Sequence, residues 1–222
     1  MNNHSYSIRI NGGQIMRKQP QQKRAKVIVD TIIEATQICI AEQGLSQITT
    51  PKIAEKSGVS VGSIYQYFEN KDEIVNELLR RKSEQLGLAL KQLVMVQEDI
   101  SIQELIPLSI QFGFDMIRAD GGFFMEILKN WHGYSNSDAA QVLEKHFYEV
   151  GIYVFNRFYR HWSFETLKNK SFVIINSTLF TMMRYASIDT FLITEQELKK
   201  ELSQMILAYL KDDEEKQQNS KK

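Results

Sequence analysis

The stretch TTPKIAEKSGVSVGSIYQYFENK, Thr49–Lys71, decides how this chain is read. Thr50 is placed to cap a helix that begins at Pro51, where the missing N–H costs no hydrogen bond, and Ile53 and Ala54 give that helix an apolar side. Ser57, Gly58 and Val59 end it, with Gly58 standing where a sharply reversing chain needs a positive φ. Ser60 then caps a second helix expected over Val61–Phe68, in which Ile64 and Phe68, four residues apart, face a core. Asn70 and Glu73 form the Asn-x-x-Glu version of a capping box and open a third helix at Lys71. Two short helices about a glycine turn predict a helix-turn-helix.

The core-facing pair leaves Val61, Gly62, Ser63, Tyr65 and Tyr67 for the other faces of the second helix. A small, uncharged first turn suits close approach to a major groove. Gly62 lets backbone come near DNA, Ser63 can bond a base edge or a phosphate, Val61 can touch a thymine methyl, and tyrosine hydroxyls can reach phosphate oxygens. Tyr65 and Tyr67 also fit as core aromatics of a helical hairpin, and both readings stay open. Lys71 falls in a first helical turn, beside backbone amides that favour anions.

From about Arg24 to Arg81 the chain resembles the DNA-binding domain of the tetracycline-repressor (TetR) family of transcriptional regulators. The resemblance rests on a long first helix ending at Gly44, the AEKSGVSVGSIYQYFENK core and the start of the helix that leaves the domain. It implies that Thr50, Val61, Gly62, Ser63, Tyr65, Tyr67 and Lys71 line a DNA interface. One departure stands out: the second helix starts without the Arg, Asn or Gln that makes a bidentate base contact. Base specificity would then fall to Ser63, Lys52, Gln66 or DNA shape.

The 222 residues are 43% hydrophobic and 24% charged, an ordinary soluble composition with chain enough for a large core. Net charge is zero, yet residues 1–82 carry 12 Lys and Arg against 8 Asp and Glu, leaving 15 against 19 for the remainder. A basic N-terminal part joined to an acidic remainder is expected when one end meets phosphate. Cys39 is the lone cysteine and lies in an apolar helical stretch, so it reads as a small core residue ahead of a redox sensor. No apolar run approaches the roughly twenty residues that span a bilayer, and the N-terminus lacks the apolar core of a signal peptide; a cytoplasmic protein is expected.

The expected architecture is all-α. Residues 1–22 are polar, with Gly12, Gly13 and Pro20, and read as a flexible basic arm that either tracks phosphates or a minor groove or is simply solvated. Met16 is a second possible start. Residues 23–70 form the DNA-binding domain, whose first helix has Val29, Ile32, Ile33, Thr36 and Ile40 on one face. Residues 71–210 form a helical ligand-binding and dimerisation domain, and 211–222 a disordered tail. Its first helix, from Lys71, is long enough to connect the two parts. Ser101 with Glu104 and Thr194 with Glu197 are further capping boxes, Gly121 and Gly122 break a helix, a short helix covers Phe123–Asn130, and residues 133–137 form a loop.

The second half is crowded with aromatic and methionine residues, most of them core at helical spacing. Helices flanking a broken short helix can enclose an apolar cavity, and the resemblance implies a small-molecule effector there. The candidate ligand residues are Phe112, Met116, Phe124, Trp131, Tyr148 and Asn176. Phe172, Ile175, Leu179, Met182 and Ala186 make one apolar stripe, and Leu198, Leu202, Met205, Ile206 and Tyr209 another. TetR-like proteins pair their last two long helices as a four-helix bundle, and two recognition helices match successive major grooves only if held roughly 34 Å apart, so a homodimer is expected.

Enzyme readings find no support. None of the four histidines follows a glutamate by three residues, as a di-iron bundle needs, and Glu144, His146 and Glu149 lack metal-site spacing. Neither glycine pair sits in a phosphate-cradling context. No catalytic residue, metal or cofactor is expected. The sequence thus points to an operator-binding transcriptional regulator, a repressor released by a small, largely apolar ligand. The alternative is an architectural or partner-regulating DNA-binding protein without an inducer.

Overall fold

The computed structural model describes residues 23–96, 99–119, 123–134, 137–187 and 192–219, and their side chains except those of 128, 131, 132 and 212–219. The basic arm expected at 1–22 and the glycine break at 121–122 lie outside the described residues. Every regular element described is helical: α1 (Lys23–Gln43), a 3₁₀ turn (Leu45–Gln47), α2 (Thr50–Ser57), α3 (Val61–Ile64), α4 (Lys71–Val96), α5 (Ile102–Arg118), α6 (Phe123–Lys129), α7 (Trp131–Tyr134), α8 (Asp138–Phe158), α9 (Phe164–Ala186) and α10 (Glu195–Asn219).

Two apolar cores organise these helices. The first gathers Val29, Ile32 and Ile40 of α1, Ile53 of α2, Ile64 of α3 and Phe68 with the opening turns of α4, Ile74 to Leu79. Phe123 and Ile127 of α6 and Ala139 of α8 complete it. The division expected at residue 70 is therefore a change of element without a break in packing. The second core joins the far end of α4 (Leu90, Val94) to α5, α8, α9 and α10.

Helix α4 connects the two, and α8 lies along it. Gly87 permits the approach: a Cβ there would stand 2.3 Å from the His146 imidazole of α8. The expected capping boxes form. Ser101 N–H donates to Glu104 Oε2 at 3.0 Å, and Thr194 N–H to Glu197 Oε2 at 2.8 Å. At the start of α4, Asn70 Oδ1 accepts the Glu73 N–H at 2.9 Å, while the Glu73 carboxylate accepts from the Glu69 amide rather than from that of Asn70.

Four expectations are corrected. Gly133 and Tyr134, expected in the loop 133–137, belong to the helical turn α7. The backbone of α10 continues through Asn219, past the boundary expected at 210, because Lys, Glu and Gln propagate a helix as well as apolar residues do. The α9 stripe divides: Met182 is buried, whereas Phe172 is 57% exposed and shares an outward face with Val173 and Phe180. On α10, Leu198, Leu202, Ile206 and Leu210 are buried and Met205 and Tyr209 turn outward.

The start of α4 is fixed to α1 by charge. Glu77, 3% exposed, accepts from Arg80 Nε at 2.9 Å and Arg81 Nε at 2.8 Å, and Arg81 also donates to Asp30 of α1 at 2.6 Å. Burial alone would raise the Glu77 carboxyl; the two guanidinium groups outweigh it and hold the carboxyl below its ordinary value of 4.5. Such a group adds stability that is complete above the unfolded-state pKa and is lost as pH falls through the folded one. Glu77→Ala, which leaves Arg81 with Asp30 and Arg80 with Glu84 as remaining carboxylate partners, is expected to cost about 2 kcal/mol. The gap in melting temperature between wild type and variant should be constant above about pH 5 and narrow at lower pH, as thermal denaturation across pH would show.

Candidate nucleic-acid interface and effector cavity

The helix-turn-helix is built by two caps, one serine within the turn and one glycine. Thr49 caps α2: its Oγ1 accepts the Lys52 N–H at 3.4 Å. The cap was expected at Thr50, one residue later; Thr50 is instead the first helical residue and is 6% exposed. Gly58 ends α2 at φ 68°, ψ 10°, the left-handed conformation that favours glycine. Ser57 Oγ accepts the Val59 N–H at 3.2 Å and steadies the turn. Ser60 Oγ then accepts the Ser63 N–H at 3.1 Å to cap α3.

Helix α3 is shorter than expected. It ends at Ile64, and Tyr65 to Tyr67 continue as a turn with i to i+3 bonds, Gln66 N–H to Ser63 O and Tyr67 N–H to Ile64 O. Ile64 and Phe68 are fully buried and pin both ends of this segment to the first core. Of the two tyrosines, Tyr65 is 44% exposed, while Tyr67 packs partly against the core. Gly62 is exposed, and a Cβ there would meet nothing within 4 Å, so its lack of a side chain answers no need of the packing.

Val61, Gly62, Ser63, Tyr65 and Gln66 thus form one accessible ridge, with Lys71 half-buried at the start of α4. The Ser63 hydroxyl lies 2.8 Å from Ser60 Oγ, which leaves it further hydrogen-bonding capacity. Lys52 Nζ donates to the Gln47 carbonyl at 2.8 Å. Cys39 is buried with its sulfur 4.0 Å from the Lys52 carbonyl, and burial pushes its thiol up, as for an inert core thiol.

A cavity of about 400 Å³ lies between the two cores. Leu79, Phe124, Ile127, Tyr134 and Ala139 reach it from the first core; Leu90, Ile110, Phe112, Met182 and Ile206 from the second. Of the expected ligand residues, Phe112, Met116, Phe124 and Asn176 line the wall. Tyr148 does not: its hydroxyl is buried elsewhere without a partner, and burial raises its pKa. Trp131 begins α7, but its side chain is not among those described. Asn176 spends its amide on the Phe172 carbonyl at 2.9 Å.

Wall residues from α4 were missed. Leu79, Leu86 and Leu90 recur at helical spacing and read as ordinary core, which is what such a stripe is until a neighbouring helix stands off from it. Glu126 was missed as well. Its Oε2 accepts the Leu45 N–H at 3.4 Å, capping from α6 the 3₁₀ turn that leads into the helix-turn-helix, and its Oε1 meets Lys129 at 2.9 Å. Among the described residues there is no group of His, Cys, Asp and Glu able to hold a metal, and no helix long and apolar enough to cross a membrane.

Loss of the α3 cap tests the geometry of the ridge. Ser60→Ala is expected to lower global stability by about 1 kcal/mol and to speed amide exchange at Ser63 and Ile64, while exchange in α8 follows only the global change; hydrogen-exchange mass spectrometry reads both.

Comparison with known proteins agrees with this geometry. The family model described as "Bacterial regulatory proteins, tetR family" matches residues 32–78. The fatty acid metabolism regulator protein of Bacillus subtilis is 34% identical over 100 residues, 45% of this chain and 50% of that protein, so the chain spans half the length of this curated relative. The structure of the fatty acid degradation regulator FadR from Bacillus halodurans superposes with a TM-score of 0.60 at 18% identity, covering 85% of this chain and 97% of that one. RolR in complex with resorcinol gives a TM-score of 0.60 at 15% identity, over 84% and 88%. Residues 32–78 thus match the helix-turn-helix of the TetR family of bacterial regulatory proteins, and the chain as a whole has the all-helical fold of solved TetR-family regulators.

Proposed function

We propose that this protein is a cytoplasmic, sequence-specific DNA-binding regulator rather than an enzyme, a homodimeric repressor released from its operator by a small, largely apolar molecule. One observation carries the reading: α6 and α7 belong to the core of the DNA-binding domain and to the wall of the cavity at once. Phe123 and Ile127 are buried with Ile64 and Phe68, and Phe124, Ile127 and Tyr134 face the cavity. A ligand that displaces this wall must also disturb the core behind the recognition helix, or the Glu126 contact to the turn before it. A preference of about 1–3 kcal/mol for one arrangement, 5- to 150-fold in affinity, is typical of such coupling. RolR, whose fold is similar, is known in complex with resorcinol, which supports a small-molecule ligand.

The DNA contacts proposed are Val61, Gly62, Ser63 and Tyr65 on the ridge, with Lys52, Tyr67 and Lys71 at its edges; Thr50 acts through packing. The dimer uses the outward faces of α9 and α10. Phe172, Val173 and Phe180, with Met205 and Tyr209, leave an apolar surface that a soluble chain covers. An isologous contact there places two recognition helices on successive grooves.

Selection of bound sequences from a random duplex pool at fixed salt tests the reading. A palindrome with half-sites about one helical turn apart is expected; salt-sensitive binding without a motif would refute it. On the selected site, Lys71→Ala should weaken binding alike for all sequences and reduce the salt slope by about one. Phe180→Asp should yield a monomer in sedimentation while keeping the far-UV spectrum of a helical protein.

A further inference from the structure

Helix α9 borders the cavity on more than one face. Ile175, Thr178 and Met182 form one stripe of its wall and Asn176, Phe180 and Met183 another, each spaced three and four apart. At 3.6 residues per turn the two stripes stand roughly 130° apart around the helix. A helix that merely backs a cavity shows it one stripe, so here the space passes around the edge of α9 toward the outside of the chain. Exposure agrees: Met182 of the first stripe is 3% exposed and Phe180 of the second 53%. Phe180 is thus a wall residue of the cavity and a member of the outward apolar face at once. Val173, two turns before it on that face, is 47% exposed and lies outside the wall.

Exposed apolar surface at the rim of a cavity marks a place where something docks. The sequence of α9 favours a second copy of this chain. From Ser171 through Met183 it reads SFVIINSTLFTMM, without a charged side chain. An isologous contact sets a surface against its own copy, so any charge on it meets a like charge, and a neutral stretch avoids that cost. A strongly charged partner such as nucleic acid finds no counter-charge there.

We infer that a second copy of this chain closes the cavity beside Phe180, so that the effector site is shared between two chains and filling it tightens the dimer. The inference rests on the proposed readings of the cavity as an effector site and of α9 and α10 as the dimer face. A guest enclosed by both copies binds the dimer more tightly than the single chain, and by linkage it strengthens association by the same factor at each site. An apolar effector therefore acts on the dimer itself, whose geometry sets the spacing of the two recognition helices.

The test uses propylbenzene as an apolar probe and two substitutions outside the cavity wall, Val173→Asp on α9 and Met205→Asp on α10, both at exposed positions of the outward faces. Sedimentation of the full chain should show both variants as monomers, with the far-UV spectrum of wild type. Calorimetric titration should show propylbenzene binding to wild type and at least about tenfold weaker binding to either monomer, and saturating propylbenzene should lower the dissociation constant of the wild-type dimer by at least the same factor. Monomers that bind the probe as tightly as wild type, or a dimer constant that the probe does not move, overturn the inference and leave the cavity standing as a site of one chain. Variants that both stay dimeric place the dimer contact elsewhere and overturn it as well. A wild type that does not bind propylbenzene, or is itself monomeric, overturns it together with the effector or the dimer reading beneath it.

Discussion

The structure depends on the burial of α6 in the core of the DNA-binding domain. Three helices of this size bury little by themselves: α2 has eight residues and α3 four, too short to persist without tertiary contacts. Their stability comes from Ile53, Ile64 and Phe68, and these close against α1, the start of α4 and the side chains of Phe123 and Ile127. Full burial of an aromatic such as Phe123 contributes roughly 1.5–3 kcal/mol. The recognition ridge is therefore held in place by a helix that is sequence-distant and shared with the cavity.

Electrostatics reinforce the same joint. Glu77, Arg80, Arg81 and Asp30 tie α4 to α1 at the level where the first core ends, and Glu126 with Lys129 ties α6 to the turn after α1. The first group is centred on the buried Glu77 carboxylate, with its partners part-buried or exposed; the Glu126 bond is long and part-buried. Exposed pairs of this kind contribute about 0–1 kcal/mol, so the Glu126 contact positions the turn more than it stabilises the fold. A stiff rod beside a weaker strut is an arrangement in which a small push on α6 shifts the turn without unfolding α4.

Local chemistry explains how much was legible in the sequence. The helix-turn-helix, the Gly58 turn, the burial of Ile64 and Phe68 and two later capping boxes follow from residue types within a few positions of one another, and all are found. The errors are of two kinds. Thr49 and Thr50 are chemically equal as caps, and the choice between them is made by Thr50 packing inward. The early end of α3 and the outward turn of Phe172 depend on neighbours remote in sequence. Cavity residues are harder still: Phe112 and Met116 were found by composition, whereas Leu79 and Leu86 are wall residues only because a cavity lies between the two cores beside them.

Helix α9 brings these threads together. Its inward face presents Ile175, Thr178 and Met182 to the cavity, and its outward face presents Phe172, Val173 and Phe180. Gly151 on α8 and Gly113 on α5 let it sit deep: a Cβ on Gly113 would stand 2.6 Å from Met182 Cε, and one on Gly151 3.2 Å from Ser171 Oγ. Close-packed interiors transmit displacement because they have few voids to absorb it. A helix seated this tightly at Ser171 and Met182 has little room to shift without moving α8 and α5 with it. A guest that fills the cavity presses on α9 at Ile175 and Met182, and the push passes to α5 and α8 rather than being absorbed.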